Sequence, residues 1–318
     1  MQVEFKMPAH VTNYDGQERR VGFEFEYTGL PLVEMATLIQ SIFGGRINAE
    51  NEFSYKIEDT SFGSFSVESD SSYLKQKKYE KILEMLSFES KTLKSIADRL
   101  SQQSDILVPF EVVTPPIPLS AFGQIEAFRI AAQQKLQEQP SAMATLAPCG
   151  FHINPETISR EPGDILNTIR AFCMLYDHLL LAYDVSLTRR VWPYIAPYSK
   201  AYQQLIMQVE YRPDLSQLID DYIHFNPSRN HALDLLPLFA WLDEARVFGH
   251  EELELKLIKK RPTYHYRLPN CDLQKAHWTV ADQWNSWVEI ENLADELALK
   301  YSGSVASSRR EDSPELQL

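Results

Sequence analysis

The strongest constraint on the fold is an apolar residue at every second position from 21 to 27, with Glu24 and Glu26 between them. Successive side chains of a β-strand point to opposite faces, so this spacing predicts a strand with an apolar face and an acidic face. The two carboxylates then lie about 7 Å apart and repel each other unless water or a cation screens them. Taken alone, the segment favours a solvated edge strand, because Glu-x-Glu is a common tripeptide.

Four further segments divide in the same way into an apolar face and a face with acids, imidazoles or a guanidinium. They are residues 65–71 with Glu68 and Asp70, residues 106–113 with Glu111 as their only charge, residues 150–154 with His152 and Asn154, and residues 263–268 with His265 and Arg267. Carboxylates are ligands that Mg²⁺ prefers, and a guanidinium suits phosphate. The repetition therefore predicts a sheet that handles metal and phosphate, with metal ligation favoured over a solvated surface.

Composition and charge limit the class of protein. The chain has 318 residues, of which 44% are apolar and 24% charged, as in soluble globular proteins. A net charge of −13 argues against nucleic acid or an anionic membrane as the main partner. We find neither a hydrophobic run long enough to span a bilayer nor a signal-peptide core at the start. Three widely spaced cysteines indicate a reducing cytoplasm and no disulfide framework.

Blocks of strand and helix patterns predict an α+β fold with a largely antiparallel sheet. We expect one domain over residues 1–302: strand-rich from 19 to 154, helical from 155 to 250, and a strand plus a closing helix from 255 to 302. Residues 303–318, rich in serine and charge, predict a disordered tail. Helices are predicted over 31–43, 75–102, 164–184, 199–210, 214–224, 230–247 and 279–300.

Five motifs, in this order along the chain, resemble the motif series of the putative amidoligase family. They lie at residues 21–26, 68–72, 110–116, 150–152 and 264–267, and the resemblance covers residues from about 19 to 302. That family belongs to the glutamine synthetase and glutamate–cysteine ligase superfamily of carboxylate–amine ligases. The resemblance implies a curved, largely antiparallel sheet packed with helices, as in the catalytic domain of glutamine synthetase. It also implies ATP and Mg²⁺ or Mn²⁺ on the concave face.

The resemblance implies a role for each matching residue. Glu24, Glu26 and Glu111 match acidic metal-ligand positions, and His152 matches a glycine-x-histidine motif at the nucleotide and metal site. Arg267 matches an arginine that contacts the transferring phosphate, and Arg229 matches a substrate or phosphate arginine. Asp70 and Ser72 match an Asp-x-Ser turn at the edge of the active site. Glu68 and Asp70 are the candidates for the base that deprotonates the amine.

Two positions depart from the family pattern. Asn154 stands where relatives commonly have a second histidine, and His265 stands where they commonly have a glutamate. Imidazole binds Mg²⁺ poorly and suits Mn²⁺, Zn²⁺ or Fe²⁺ better. With His265 as a metal ligand, we expect either a preference shifted toward Mn²⁺ or a site with one metal fewer.

The implied activity is ATP-dependent formation of an amide bond through an acyl phosphate. Two alternatives stay open: a catalytically silent relative that binds a nucleotide or a partner, and a metal-dependent enzyme that does not use ATP. The substrates would be a carboxylate and an amine, each a small molecule or part of a peptide. The sequence names neither substrate and leaves the oligomeric state open.

Overall fold

The computed structural model describes residues 4–69, 109–138, 149–190, 195–251 and 253–311. Contacts divide the chain into two compact units. The sheet unit comprises Arg20–Ile153 and Pro269–Val280, and the helical unit comprises Met1–Arg19, Asn154–Leu268 and Ala281–Leu318. The chain therefore passes between the units within one strand, Phe151–Pro155. The assignment of residues 1–302 to a single domain stays a prediction.

The sheet unit is built on antiparallel pairs of strands. Its strands are β1 (Arg20–Tyr27), β2 (Arg46–Asn51), β3 (Ser54–Thr60), β4 (Gly63–Ser69), β5 (Phe110–Val113), β6 (Ile117–Pro118) and the first part of β7 (Phe151–Pro155). Their order is β2-β3-β4-β5-β1-β7, and β6 also pairs with β1. The antiparallel register of β2 through β5, and of β5 and β6 with β1, confirms the predicted sheet type.

Two helices cover one face of this sheet. They are α1 (Leu32–Phe43) and α2 (Phe122–Glu138). Phe25 of β1 packs edge-on against Phe128 of α2, and Phe43 of α1 stacks on Phe65 of β4. All four rings are nearly inaccessible to solvent. Burial of the apolar face therefore leaves the acidic face of β1, with Glu24 and Glu26, on the other side of the sheet.

The helical unit contains short strands among helices. Its elements are α3 (Pro162–Ala182), α4 (Leu187–Arg190), α5 (Lys200–Ile206), α6 (Leu215–Phe225), β8 (Leu233–Asp234), α7 (Leu236–Leu242), α8 (Glu244–Phe248), β9 (His265–Tyr266) and α9 (Val280–Glu311) from Ala281 onward. Asp214 caps α6 by accepting the backbone N–H of Gln217 at 2.8 Å. The rings of Tyr198, Tyr202 and Tyr222 meet edge to face in its core.

The structure confirms most predicted elements and corrects others. Helix α2 is not predicted, and β6 forms although Pro118 cannot donate a ladder bond, because this proline lies at the end of a two-residue strand. The helix predicted over 230–247 is instead β8, α7 and α8, since Asp243 caps a new helix by accepting the N–H of Arg246. Helix α9 continues to Glu311, beyond the predicted end at residue 300. The disordered tail over residues 303–318 stays a prediction. The helix predicted over 75–102 lies outside the described residues.

Helix α3 has the predicted length of 21 residues, begins two residues earlier than predicted, and is apolar along much of its length. Its length and composition alone would allow it to cross a bilayer, but half of its most apolar window is buried inside the protein. Ile165, Ile169 and Phe172 all lie in the core of the helical unit. The helix therefore has the character of a buried core helix.

The curvature of the sheet and its likeness to the glutamine synthetase catalytic domain stay predictions.

Candidate active site

Strand register places three glutamates side by side on the face of the sheet opposite α1 and α2. Glu26 of β1 lies directly across from Glu111 of β5, and Glu111 lies directly across from Glu68 of β4. Glu24 lies two residues before Glu26 on β1 and therefore points to the same face of the sheet. Like charges in directly opposed positions destabilise a sheet. The sheet thus concentrates negative charge where a bound cation would stabilise it.

His152 of β7 lies among these carboxylates and is only 5% exposed. Its Nδ1 is 2.8 Å from Oε2 of Glu24, and its Nε2 is 3.4 Å from Oε1 of Glu26. An imidazole that donates its Nδ1 proton to Glu24 carries its lone pair on Nε2, on the side of Glu26. Glu24 can therefore fix the ring in the form that binds a metal, as carboxylates commonly do for ligating histidines.

The backbone of Gly150 fixes the position of Glu26. The N–H of Gly150 donates to Oε2 of Glu26 at 2.6 Å, and the N–H of Glu26 donates to the carbonyl oxygen of Gly150 at 3.0 Å. With Oε2 held by the backbone, Oε1 is the oxygen nearer to His152. The side chain is thus oriented before any ligand binds.

The donor atoms of this cluster fit a divalent cation. Glu26, Glu111 and His152 each offer one ligand atom, and these atoms all lie within 4.8 Å of one another. Two carboxylates and one imidazole suit Mn²⁺ and other transition metals, and the carboxylates suit Mg²⁺. The structure thereby brings together Glu24, Glu26, Glu111 and His152, four of the five residues that the sequence predicts as metal ligands. The fifth, His265, belongs to the helical unit.

A second cluster, in the helical unit, surrounds the buried carboxylate of Asp234. Asp234 lies across from His265 in the β8–β9 pair, and its Oδ1 accepts the N–H of Leu236 at 3.0 Å. Burial raises the pKa of Asp234 to about 6, although the charges of Arg267, Arg229 and Arg261 oppose the rise. Three guanidinium groups therefore act on one carboxylate. In a chain of net charge −13, this is a local excess of positive charge.

Main-chain carbonyls hold Arg267 in this cluster. Its Nη1 donates to the carbonyl oxygen of Arg229 at 3.1 Å, and its backbone N–H donates to the carbonyl oxygen of Ala232 at 2.7 Å. The guanidinium of Arg189 donates in turn to the carbonyl oxygen of Arg267 at 2.6 Å. Burial lowers the pKa of His231, and the charge of Arg267 lowers it further. Arg267 is thus a positioned cation whose field reaches its neighbours.

The two departures from the family pattern are in direct contact. Oδ1 of Asn154 lies 2.6 Å from Nδ1 of His265 and accepts a hydrogen bond from Nη2 of Arg261 at 2.7 Å. Nδ1 of His265 also lies 3.1 Å from Nη2 of Arg261, so the three side chains form one network. Asn154 and Arg261 therefore fix the position of the His265 ring.

Sequence reasoning missed Asp234 and Arg261. Asp234 is the only charged residue in the apolar stretch 232–242, the same signal that singles out Glu111 in its strand. Arg261 lies before strand β9, outside any alternation of apolar and polar residues, so no sequence pattern singles it out. Of the remaining predicted residues, Glu68 lies directly across from Glu111 on the acidic face of the sheet. Asp70 and Ser72 lie outside the part of the chain that the structure describes.

A comparison with family models identifies the chain. The model described as "Putative amidoligase enzyme" matches residues 17–289. The chain belongs to this family. Membership confirms the resemblance drawn from the five motifs and supports an enzyme that forms amide bonds. No curated protein matches the chain. Placement of this family member in the glutamine synthetase superfamily stays a prediction.

Proposed function

We propose that the protein is an ATP-dependent carboxylate–amine ligase that forms an acyl phosphate on a small molecule or peptide. The observation that carries this proposal is the cluster of Glu26, Glu111 and His152, whose ligand atoms lie within 4.8 Å of one another. Amide formation in water is uphill, so the carboxylate must first be activated, and ATP-dependent phosphoryl transfer depends on divalent cations. Family membership supports the same class of reaction.

The reaction has two balanced steps. A carboxylate oxygen of the substrate bonds to the γ-phosphorus of ATP, and the bond to the bridging oxygen of ADP breaks. The amine nitrogen then bonds to the acyl carbon, inorganic phosphate leaves, and the amine gives up a proton. Glu68 and Asp70 stay the proposed acceptors of that proton.

The residues of the chain would supply charge and positioning. Glu26, Glu111 and His152 would hold a divalent cation, with Glu24 orienting the imidazole. Such a cation neutralises phosphate oxygens when it is bound. Arg267 would stabilise charge on the transferring phosphoryl group, a kind of contribution worth about 3–4 kcal/mol in comparable oxyanion sites. Arg229 would contact the same class of anionic group, and its carbonyl oxygen already anchors Arg267.

The metal preference follows from His265 under the same proposal. An imidazole in place of a carboxylate would favour Mn²⁺ over Mg²⁺. We expect ATP turnover to be faster with Mn²⁺ than with Mg²⁺ in the wild type, and the order to reverse in His265→Glu. If Mg²⁺ supports the faster reaction in the wild type and His265→Glu changes nothing, the proposed shift is wrong. Cytoplasmic location and the absence of nucleic-acid or membrane partners complete the proposal.

Calorimetric titration of a non-hydrolysable ATP analogue tests the proposal most directly. The titration is run with Mg²⁺ and with Mn²⁺ into the wild type, Glu26→Gln and the control Glu58→Gln. Glu58 lies on β3, next to the edge strand, across from Arg46 of β2. Its substitution thus removes one carboxylate from the same sheet without touching the cluster.

We expect metal-dependent binding in the wild type and in Glu58→Gln, and a loss of at least tenfold in affinity in Glu26→Gln. Equal affinity in all three proteins would contradict the metal site. Binding without turnover on any carboxylate and amine pair would favour the catalytically silent relative. Tight metal binding with no nucleotide affinity would favour the enzyme that does not use ATP.

A further inference from the structure

Two cysteines that are 122 positions apart in sequence lie opposite each other in the sheet unit. Gly150 and Asn270 form an antiparallel bridge, and hydrogen bonds flank it on both sides. On one side, the N–H of Cys271 donates to the carbonyl oxygen of Cys149 at 2.9 Å. Cys149 and Cys271 are therefore directly opposed residues, and their side chains point to the same face.

The backbone distance at such a pair suits a disulfide. Opposed residues of antiparallel strands have Cα atoms about 4.5–5.5 Å apart, within the range of about 4.4–6.8 Å seen in disulfides. Their Cβ atoms are typically about 4.5–5.5 Å apart, whereas a disulfide needs about 3.5–4.5 Å. Closing the bond thus draws the two strands closer together.

We propose that Cys149 and Cys271 are an oxidative modification site, at which a low-molecular-weight disulfide such as oxidised glutathione forms a reversible intramolecular disulfide. One thiolate attacks the oxidant to form a mixed disulfide and releases one thiol. The second cysteine attacks the protein sulfur, releasing the second thiol. Two protein thiols are oxidised, one small disulfide is reduced to two thiols, and the structure contains all three cysteines in the reduced form.

The position of the pair gives the modification a local consequence. Cys149 directly precedes Gly150, whose N–H and carbonyl oxygen both bind Glu26. Asn270, next to Cys271, accepts the indole N–H of Trp278 at 2.9 Å through its carbonyl oxygen. Movement of either cysteine toward the other therefore shifts backbone that is already tied to the acidic face and to the core.

Cys173 provides an internal control, because it lies in α3 of the helical unit and is partly exposed, whereas Cys149 and Cys271 are both buried. The full-length wild type, Cys173→Ser, Cys149→Ser and Cys271→Ser are incubated with oxidised glutathione, and non-reducing peptide mapping by mass spectrometry locates the cross-link. Circular dichroism shows whether each variant is folded. Reduced glutathione is then added to test reversal.

We expect one intramolecular Cys149–Cys271 cross-link in the wild type and Cys173→Ser, with a mass loss of two hydrogen atoms that added thiol reverses. Cys149→Ser and Cys271→Ser should instead retain a mixed disulfide with glutathione at the remaining cysteine. Cross-links that involve Cys173, intermolecular dimers, or no link in folded wild type would overturn the proposal. If the single serine variants unfold, the wild type and Cys173→Ser alone decide between these outcomes.

Discussion

The carboxylate of Asp234 is buried, and the free-energy cost of burying it depends on pH. Burial raises its pKa from 3.8 to about 6, so the folded protein binds a proton there more tightly than the unfolded chain does. Its contribution to stability is therefore fully present below pH 3.8 and is lost as the pH rises to about 6. At 1.36 kcal/mol per pKa unit, the loss is about 3 kcal/mol.

We expect Asp234→Asn to remove this loss, because the amide carries no charge and its Oδ1 can still accept the N–H of Leu236. The free energy of unfolding, measured in urea from pH 4 to 7, should fall less in the variant than in the wild type. Asp59→Asn serves as the control, since Asp59 is 69% exposed. If the free energy of unfolding changes equally with pH in the wild type and in Asp234→Asn, burial of this carboxylate does not affect the stability.

The ion pair between Arg19 and Glu291 is the second residue-scale case. Arg19 is inaccessible to solvent and donates to both carboxylate oxygens of Glu291, at 3.0 and 2.5 Å. Removing one partner of a buried pair leaves an uncompensated charge, which costs about 3–5 kcal/mol. We expect Glu291→Gln to lower the free energy of unfolding by this amount, measured by urea denaturation.

The exposed pair of Arg46 and Asp59 provides the comparison for that measurement. Its side chains are 77% and 69% exposed, so solvent and salt screen the interaction. Asp59→Asn should therefore change the stability little. If the two substitutions destabilise the protein equally, burial does not control the strength of these ion pairs.

Individual residues also show what one sequence can and cannot predict. Alternation on β1 predicts that Glu24 and Glu26 share a face, because the strand itself fixes that relation. It cannot predict that Glu111 lies across from Glu26, since register between strands 85 positions apart depends on tertiary pairing. For the same reason, the sequence does not predict that Cys149 and Cys271 lie opposite each other. Their spacing in the sequence alone predicts no disulfide framework.

At the scale of elements, the turn from α1 into β2 depends on two successive glycines with different surroundings. Gly44 has φ +74° and open space where a Cβ would be, whereas Gly45 has φ +90° and a Cβ there would lie 2.3 Å from the carbonyl oxygen of Glu58. Positive φ of this kind costs a side-chain-bearing residue about 1–3 kcal/mol. At position 45, a side chain would in addition clash with the backbone of β3.

We therefore expect Gly44→Ala to destabilise the protein by about 1–3 kcal/mol and Gly45→Ala by clearly more. Thermal unfolding of the two variants measures the difference directly. Equal losses would mean that β3 moves away from the new methyl group at no cost. The predicted helix end at residue 43 agrees with this turn, but only the position of β3 distinguishes the two glycines.

At the scale of the whole molecule, a cation at the acidic cluster should stabilise the native state by mass action. A ligand present at 100 times its dissociation constant adds about 2.7 kcal/mol to the free energy of unfolding. We expect Mn²⁺ to raise the melting temperature of the wild type and of Glu58→Gln but not that of Glu26→Gln. Hydrogen exchange should slow in β1, β5 and β7 on addition of the metal, and protection confined to the helical unit would contradict this placement.

The interleaving of the two units governs the order in which they can fold during synthesis. The first residues of the helical unit contact its helix α9: the indole of Trp284 donates to the carbonyl oxygen of Lys6, and His10 contacts Asp295. The sheet unit needs Pro269–Val280 to complete it. Because the chain is made from its N-terminus and domains fold as units, neither unit can be completed until residue 280 has been made. Nascent chains therefore expose incomplete cores up to that point, and stop codons placed before residue 280 should yield fragments that chaperones retain.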